Sequence, residues 1–156
     1  MNKIQVINKK SKFSGEIEHE IIVIDNTPLD EILHNYYPED NILGLIPVIV
    51  DWLSDPREQK LVLNRFYSND ESTMLPVLMC PDDCDLWCTI ILVEVLITDD
   101  CIIWSRFGFD KSNRENLIKG FECIGTNVRW IESVTPMTFD KLEYIENLRK
   151  IYLRNN

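Results

Sequence analysis

Hydrophobic and polar positions alternate over EIEHEIIVID. Ile17, His19, Ile21 and Val23 fall on one side of an extended chain, and Glu16, Glu18, Glu20, Ile22 and Ile24 on the other. A period of two predicts a strand half open to water. A shorter strand over 3–8 precedes it, joined by a turn through Gly15. The period then lengthens. Thr27 and Pro28 read as N-cap and first position of a helix with the apolar stripe Leu29, Ile32, Leu33 and Tyr36, ended by Pro38. NILGLIPVIVDWL is apolar nearly all round. A run this short fits either period, and a buried helix is the expectation despite its β-branched residues. Asp55, Pro56 and Glu58 stand as N-cap, N1 and N3 of a further helix through Phe66.

After the SNDES loop the pattern predicts strands at 74–80, 86–97 and 101–109, with a shorter one at 127–131. The strand 86–97 is apolar on both faces and belongs at the sheet centre. Pro76 cannot donate to a ladder, which places its strand at an edge or on a bulge. Thr98, Asp99 and Asp100 form the next hairpin turn. Thr138 reads as the cap of a last helix reaching about residue 154. Leu142, Ile145, Leu148 and Tyr152 are expected inward, and Arg149, Lys150 and Arg154 lie near its C-terminus, where the helix dipole favours positive charge. The result is one α+β domain over 1–156. Its mainly antiparallel sheet has a meander of 74–80, 86–97 and 101–109, packed with helices that include a C-terminal one.

Composition narrows the class. With 156 residues, 45% hydrophobic and 27% charged, the chain can bury a core without staples. No run reaches the roughly 18 apolar residues that cross a bilayer. MNKIQVINKKSKF lacks the apolar segment of a secretory signal. Five cysteines, an odd number, make no disulfide framework, and the expectation is thiols in a reducing cytoplasm. The net charge of -10 is uneven: residues 13–100 carry nineteen acids against Arg57, Lys60 and Arg65. Such a field repels nucleic acids and anionic membranes and attracts cationic partners.

Candidate chemistry centres on LPVLMCPDDCDLWCTIILVEV. Structural zinc wants four thiolate or imidazole ligands, usually from two knuckles. Cys80 and Cys84 make one loose pair, Cys101 and Cys123 are far apart, and Cys88 falls inside a predicted strand. Core or turn cysteines are therefore expected, with no metal and no other cofactor. A cysteine nucleophile needs a base, and the chain has only His19 and His34. A small hydrolase using Cys84, His19 or Glu94 is the alternative reading, against a non-enzymatic one. Glu94, between two valines, calls for a partner. A three-residue turn sets it opposite Arg106 as a structural pair, and a two-residue turn opposite Ser105.

LPVLMCPDDCDLWCTIILVEV, followed by TDDCIIWSRFGFD, resembles segments of bacterial polymorphic-toxin immunity proteins, including those of contact-dependent growth inhibition. The resemblance covers about residues 43–131 and lies in hydrophobic texture and turn placement. It implies a small cytoplasmic protein, without catalysis, that binds one cognate toxin domain and blocks it. No functional residue carries over from it. The acidic surplus suits a cationic nuclease as that toxin, with no nucleic acid or membrane as partner.

Two acidic clusters are candidates for the partner surface. The meander should bring Asp70 and Glu71 towards Asp99 and Asp100, in connecting loops that hold no lysine or arginine. Asp82, Asp83 and Asp85 should emerge at the opposite end, roughly 35–40 Å away at about 3.3 Å per residue. The first cluster is preferred and the second is second choice.

Overall fold

The computed structural model describes residues 1–10 and 18–153. The predicted turn through Gly15, Glu16 and Ile17 in the second strand, and Arg154 all lie outside them. Strand β1 (Ile4–Lys10) pairs antiparallel with β2 (Glu18–Ile24), Ile4 opposite Ile24 and Lys10 opposite Glu18. Asp25 and Asn26, with φ of 49° and 69°, turn the chain into β3 (Thr27–Pro28), which completes a three-stranded sheet. These two residue types accept the left-handed region through their short polar side chains.

Because Thr27 and Pro28 are held by pairing with β2, α1 (Leu29–Tyr36) starts later than the sequence indicates. Pro28, not Thr27, stands at its cap position, without a side-chain cap. Leu29 and Leu33 face inward, whereas Tyr36 is 40% exposed.

The stretch NILGLIPVIVDWL is buried, but it is not a helix. Gly44 sits at φ 93°, Ile46–Pro47 forms the short strand β4, and only Val50–Trp52 makes a 3₁₀ turn. Pro47 has no N–H and disfavours α geometry at Ile46. The neighbouring amide of Val48 instead donates to Val77 O at 3.1 Å. Helix α2 (Pro56–Phe66) matches expectation, with Asp55 accepting from the Arg57 N–H and Pro56 in the first turn.

The antiparallel meander is present as β5 (Ser72–Met79), β6 (Ile90–Ile97) and β7 (Cys101–Asp110). β4 extends it beyond β5. The long β7 pairs at one end with β8 (Val128–Ile131) and at the other with β9 (Met137–Asp140). A short helix, α3 (Arg114–Lys119), lies between β7 and β8. Pro76 is accommodated by a bulge between Pro76 and Leu78. The predicted strand 86–97 is wrong at its start: residues 86–89 are loop. Three of their amides go to side chains, Leu86 to the Glu58 carboxylate and both Trp87 and Cys88 to Asp85 Oδ1, so these three need no ladder. Cys88 is exposed.

The last helix, α4 (Lys141–Tyr152), is capped by Asp140, which accepts from the Glu143 N–H, and not by Thr138. Thr138 is already paired with Ile103 in β9. The buried stripe is Tyr144, Leu148, Ile151 and Tyr152, while Leu142 and Ile145 are 72% and 38% exposed. Polar anchors explain the rotation. Trp104 Nε1, fully buried, donates to Tyr144 Oη at 3.1 Å, and Tyr152 Oη donates to Pro76 O at 2.8 Å. Phe66 of α2 stacks on Tyr152 at 4.8 Å, so α2 and α4 meet over the core. No helix among the described residues is long and apolar enough to cross a membrane.

Candidate functional site

The end of the sheet where β5 begins and β6 turns into β7 carries the preferred acidic cluster. Ser72 pairs with Leu96, and Ile97 N donates to Glu71 O at 3.1 Å. That pairing sets the 68–71 loop beside the 98–100 turn. Thr98 closes the turn twice, its N–H donating to Cys101 O and its Oγ1 accepting from the Cys101 N–H. Asp70, Glu71, Asp99 and Asp100 are all exposed. One cation intrudes from outside the two loops. Lys141 Nζ donates to the carbonyls of Thr98 and Asp99 at 2.9 and 3.3 Å. It engages backbone oxygens and not the aspartate carboxylates.

Beside this acidic rim lies a pocket of about 180 Å³ whose lining includes Phe66, Tyr67, Leu75, Val95, Tyr144 and Ile145. Tyr67 is 50% exposed. Thr73 Oγ1 lines the pocket and is buried without a hydrogen-bond partner. Sequence reasoning missed this pocket because it placed Leu142 and Ile145 inward. Tyr144, Leu148, Ile151 and Tyr152 also have helical spacing, and that competing stripe was the available signal.

The second acidic cluster is at the other end of the strands. β6 has eight residues, about 26 Å at 3.3 Å per residue, so the separation is shorter than a strand of 86–97 would give. Asp82 and Asp83 are exposed, while Asp85 is half-buried and spends Oδ1 on the Trp87 and Cys88 amides. The loop is further fixed by Cys84 N donating to Cys80 O at 3.1 Å, with Cys84 at φ 48°. Glu58 reaches from α2 to the Leu86 amide; burial raises its carboxyl above the ordinary 4.5, against that hydrogen bond. Sequence spacing had marked Glu58 only as a helix-capping residue.

The same loop gathers possible metal ligands. Donor atoms of Cys80, Asp83 and Cys88 lie within 4.8 Å of one another. The nearby Asp83 carboxylate, then burial, pushes the Cys88 thiol above its ordinary 9.0. Next to Cys88 an open groove of about 570 Å³ runs past Asp40, Asp110, Lys111 and Arg129.

The residues of the hydrolase alternative are engaged separately. His19 is buried, its Nδ1 2.8 Å from Glu20 O and its ring edge-on to Trp52. Cys84 Sγ donates to Pro81 O, and burial, followed by Cys80 and the loop aspartates, raises its thiol above the ordinary value. That is the opposite of nucleophile activation. Glu94 does pair with Arg106, although the turn is the two-residue one, Asp99 and Asp100 between Thr98 and Cys101, which by itself would set Glu94 opposite Ser105. A bulge at Ser105 shifts the register, so Glu94 accepts from Ser105 Oγ at 2.6 Å and from both Arg106 Nε and Nη2 at 3.2 Å. Burial raises its carboxyl, but Ser105 and Arg106 together outweigh burial and leave it below its ordinary value. Arg106 in turn lies 3.7 Å from the Trp130 ring centre.

The geometry defines an α+β protein with an exposed acidic cluster beside a pocket, lined by apolar side chains with Arg65 and Lys141, at one end of its sheet and a thiol-carboxylate loop at the other. No family model, curated protein or solved structure matches the chain.

Proposed function

We propose that the protein is an immunity-type binding module, neutralising one cognate toxin domain by stoichiometric complex formation in the cytoplasm. The observation that carries this reading is the exposed acidic rim of Asp70, Glu71, Asp99 and Asp100, next in the chain to residues that line the pocket of Tyr67 and Ile145. Interfaces of this kind place an apolar centre inside a polar rim, with aromatic side chains as anchors. The rim is acidic, so the fitting partner is a basic protein domain, such as a nuclease whose cleft binds phosphates. Carboxylates would steer its approach and occupy the positions of substrate phosphates, while Tyr67 and the pocket supply the dry contact. The protein acts by occupancy and not by catalysis, and neither nucleic acid nor membrane is its target.

The test begins with native co-purification from the source cells and mass spectrometry of the stoichiometric partner. With that partner in hand, association should slow markedly as salt rises. Asp99→Lys with Asp100→Lys should weaken binding more than Asp82→Lys with Asp83→Lys. Tyr67→Ala should accelerate dissociation. Binding indifferent to salt and to all three changes would remove the acidic end as the interface.

A further inference from the structure

We propose that Cys80, Asp83 and Cys88 form an open zinc site, two thiolates and one carboxylate from a single loop, with the fourth position left to water or a partner's side chain. The proposal stands apart from the toxin-binding reading, since the site lies at the opposite end of β5 and β6. It reverses the expectation of no metal, which rested on Cys80 and Cys84 making only a loose pair, on the lack of a second pair and on Cys88 lying inside a predicted strand.

The fold itself brings the ligands together. Met79 pairs with Ile90, so Cys80 leaves β5 beside the point where the chain enters β6 two residues after Cys88. Between them the chain doubles back through the left-handed Cys84, which carries Asp83 over the stem. The backbone of this path is fixed by other groups, Cys80 O with Cys84 N, Asp85 with the Trp87 and Cys88 amides, and Glu58 with the Leu86 amide, while the Cys88 thiol hydrogen-bonds only within the cluster, to Asp83 and Cys80. The ligand side chains are thus held close by a scaffold that does not consume them, the arrangement that lowers the ordering cost of metal binding. Cys84, in contrast, has its thiol turned to Pro81 O and is left out.

The donor set selects the metal. Thiolates favour Zn²⁺ among common divalent ions, and three protein ligands with an open fourth position is a recurrent zinc arrangement. Zinc–sulfur bonds of about 2.3 Å in a tetrahedron put two sulfurs roughly 3.8 Å apart. From donor atoms within 4.8 Å of one another, closure needs a shift of at most about 1 Å, within reach of side-chain rotation. Cys88 and Asp83 are exposed, and the groove past Lys111 and Arg129 opens beside Cys88, giving an outside donor access to the fourth position. Binding would release the two thiol protons to solvent.

The experiment titrates the full-length protein, kept reduced by a phosphine, with Co²⁺ as an optical probe and then with Zn²⁺ as competitor. One equivalent of Co²⁺ should produce thiolate-to-cobalt charge-transfer absorption together with the visible bands of tetrahedral cobalt, and Zn²⁺ should abolish both. Zinc should also raise the unfolding temperature of the wild type. Cys80→Ser, Cys88→Ser and Asp83→Ala should each weaken binding by more than the roughly 10–100-fold expected for losing an outer-shell partner. Cys84→Ser and Cys101→Ser should bind as wild type. Circular dichroism reports folding, and Cys88→Ser and Asp83→Ala alter exposed side chains, so at least these two test ligation without loss of the core. The absence of charge-transfer absorption at equimolar cobalt overturns the proposal. So does absorption that survives Cys88→Ser, or that is lost in Cys84→Ser.

Discussion

Tyr152→Phe deletes one oxygen from a fully buried ring and leaves the ring's stacking on Phe66 in place. That hydroxyl donates at 2.8 Å to Pro76 O, at the bulge where β5 departs from regular pairing with β6. Removing a buried donor while its acceptor stays costs about 1–3 kcal/mol, against about 3–5 kcal/mol for removing a large buried ring outright. The lower part of the first range is expected, because a carbonyl has a second lone pair and tolerates partial loss better than an N–H. Tyr144→Phe supplies the comparison. It orphans the indole N–H of fully buried Trp104, which has a single donor and no second choice, so its cost should equal or exceed that of Tyr152→Phe. Urea unfolding read by tryptophan fluorescence and by far-ultraviolet circular dichroism gives both values. Each variant should lower the midpoint with an unchanged slope. Each kcal/mol lost should lower the thermal midpoint by about 2–4 °C at this size. A Tyr152→Phe protein as stable as wild type would refute the claim that this hydroxyl ties the C-terminal helix to the bulge. A Tyr144→Phe protein clearly more stable than Tyr152→Phe would refute the ranking.

Glu58 should show an inverted pH dependence. Its folded carboxyl is raised above 4.5 by burial, so its contribution to stability is present below the unfolded pKa and lost as pH rises through the folded one. Glu58→Gln should therefore gain on the wild type between pH 4 and neutral, and urea midpoints across that window that move the other way would contradict it. Glu94 has a lowered carboxyl, so its contribution is present at neutral pH and fades on acidification. Because Arg106 is half exposed, Glu94→Gln should cost no more than about 1 kcal/mol, as measured by chemical unfolding. Asn147→Ala leaves the Val6 amide without its side-chain acceptor and should cost about 1 kcal/mol, with faster hydrogen exchange at Val6.

The strands of the meander were legible because short apolar runs, Pro76 and the Thr98–Asp100 turn all act locally. The Glu94–Arg106 pair was legible only as a condition on turn length, and the bulge at Ser105 that satisfies it leaves no pattern in the sequence. Residues 42–53 show a different limit. An apolar run reports burial without reporting period, and Pro47 and Gly44 were the local signals that argued against a helix. The start of β6 was misjudged because Glu58 and Asp85 take up amides that hydrophobicity alone would assign to a ladder. The stripe of α4 was misplaced for a related reason, since Trp104 and Pro76 select Tyr144 and Tyr152 from elsewhere in the chain. The proximity of Asp70 and Glu71 to the next turn followed from antiparallel pairing, whereas the adjacent pocket depended on that misplaced stripe. The meeting of Cys80 with Cys88 likewise needed the true end of a strand.

Strand β1 lies at an open edge of its sheet, and α4 stands in for the neighbour it lacks. Ile4 and Val6 donate their amides to Glu143 Oε1 and Asn147 Oδ1, and Lys150 returns a proton donor to Val6 O. Three side chains of one helix thereby occupy backbone positions that a second polypeptide would otherwise find vacant. An edge without such cover is a template for strand addition. The C-terminal helix is in this sense a guard against self-association. Fraying or clipping it would expose a ready pairing surface before the main sheet had lost any of its own strands, and the first symptom of damage would be oligomers rather than unfolded chains.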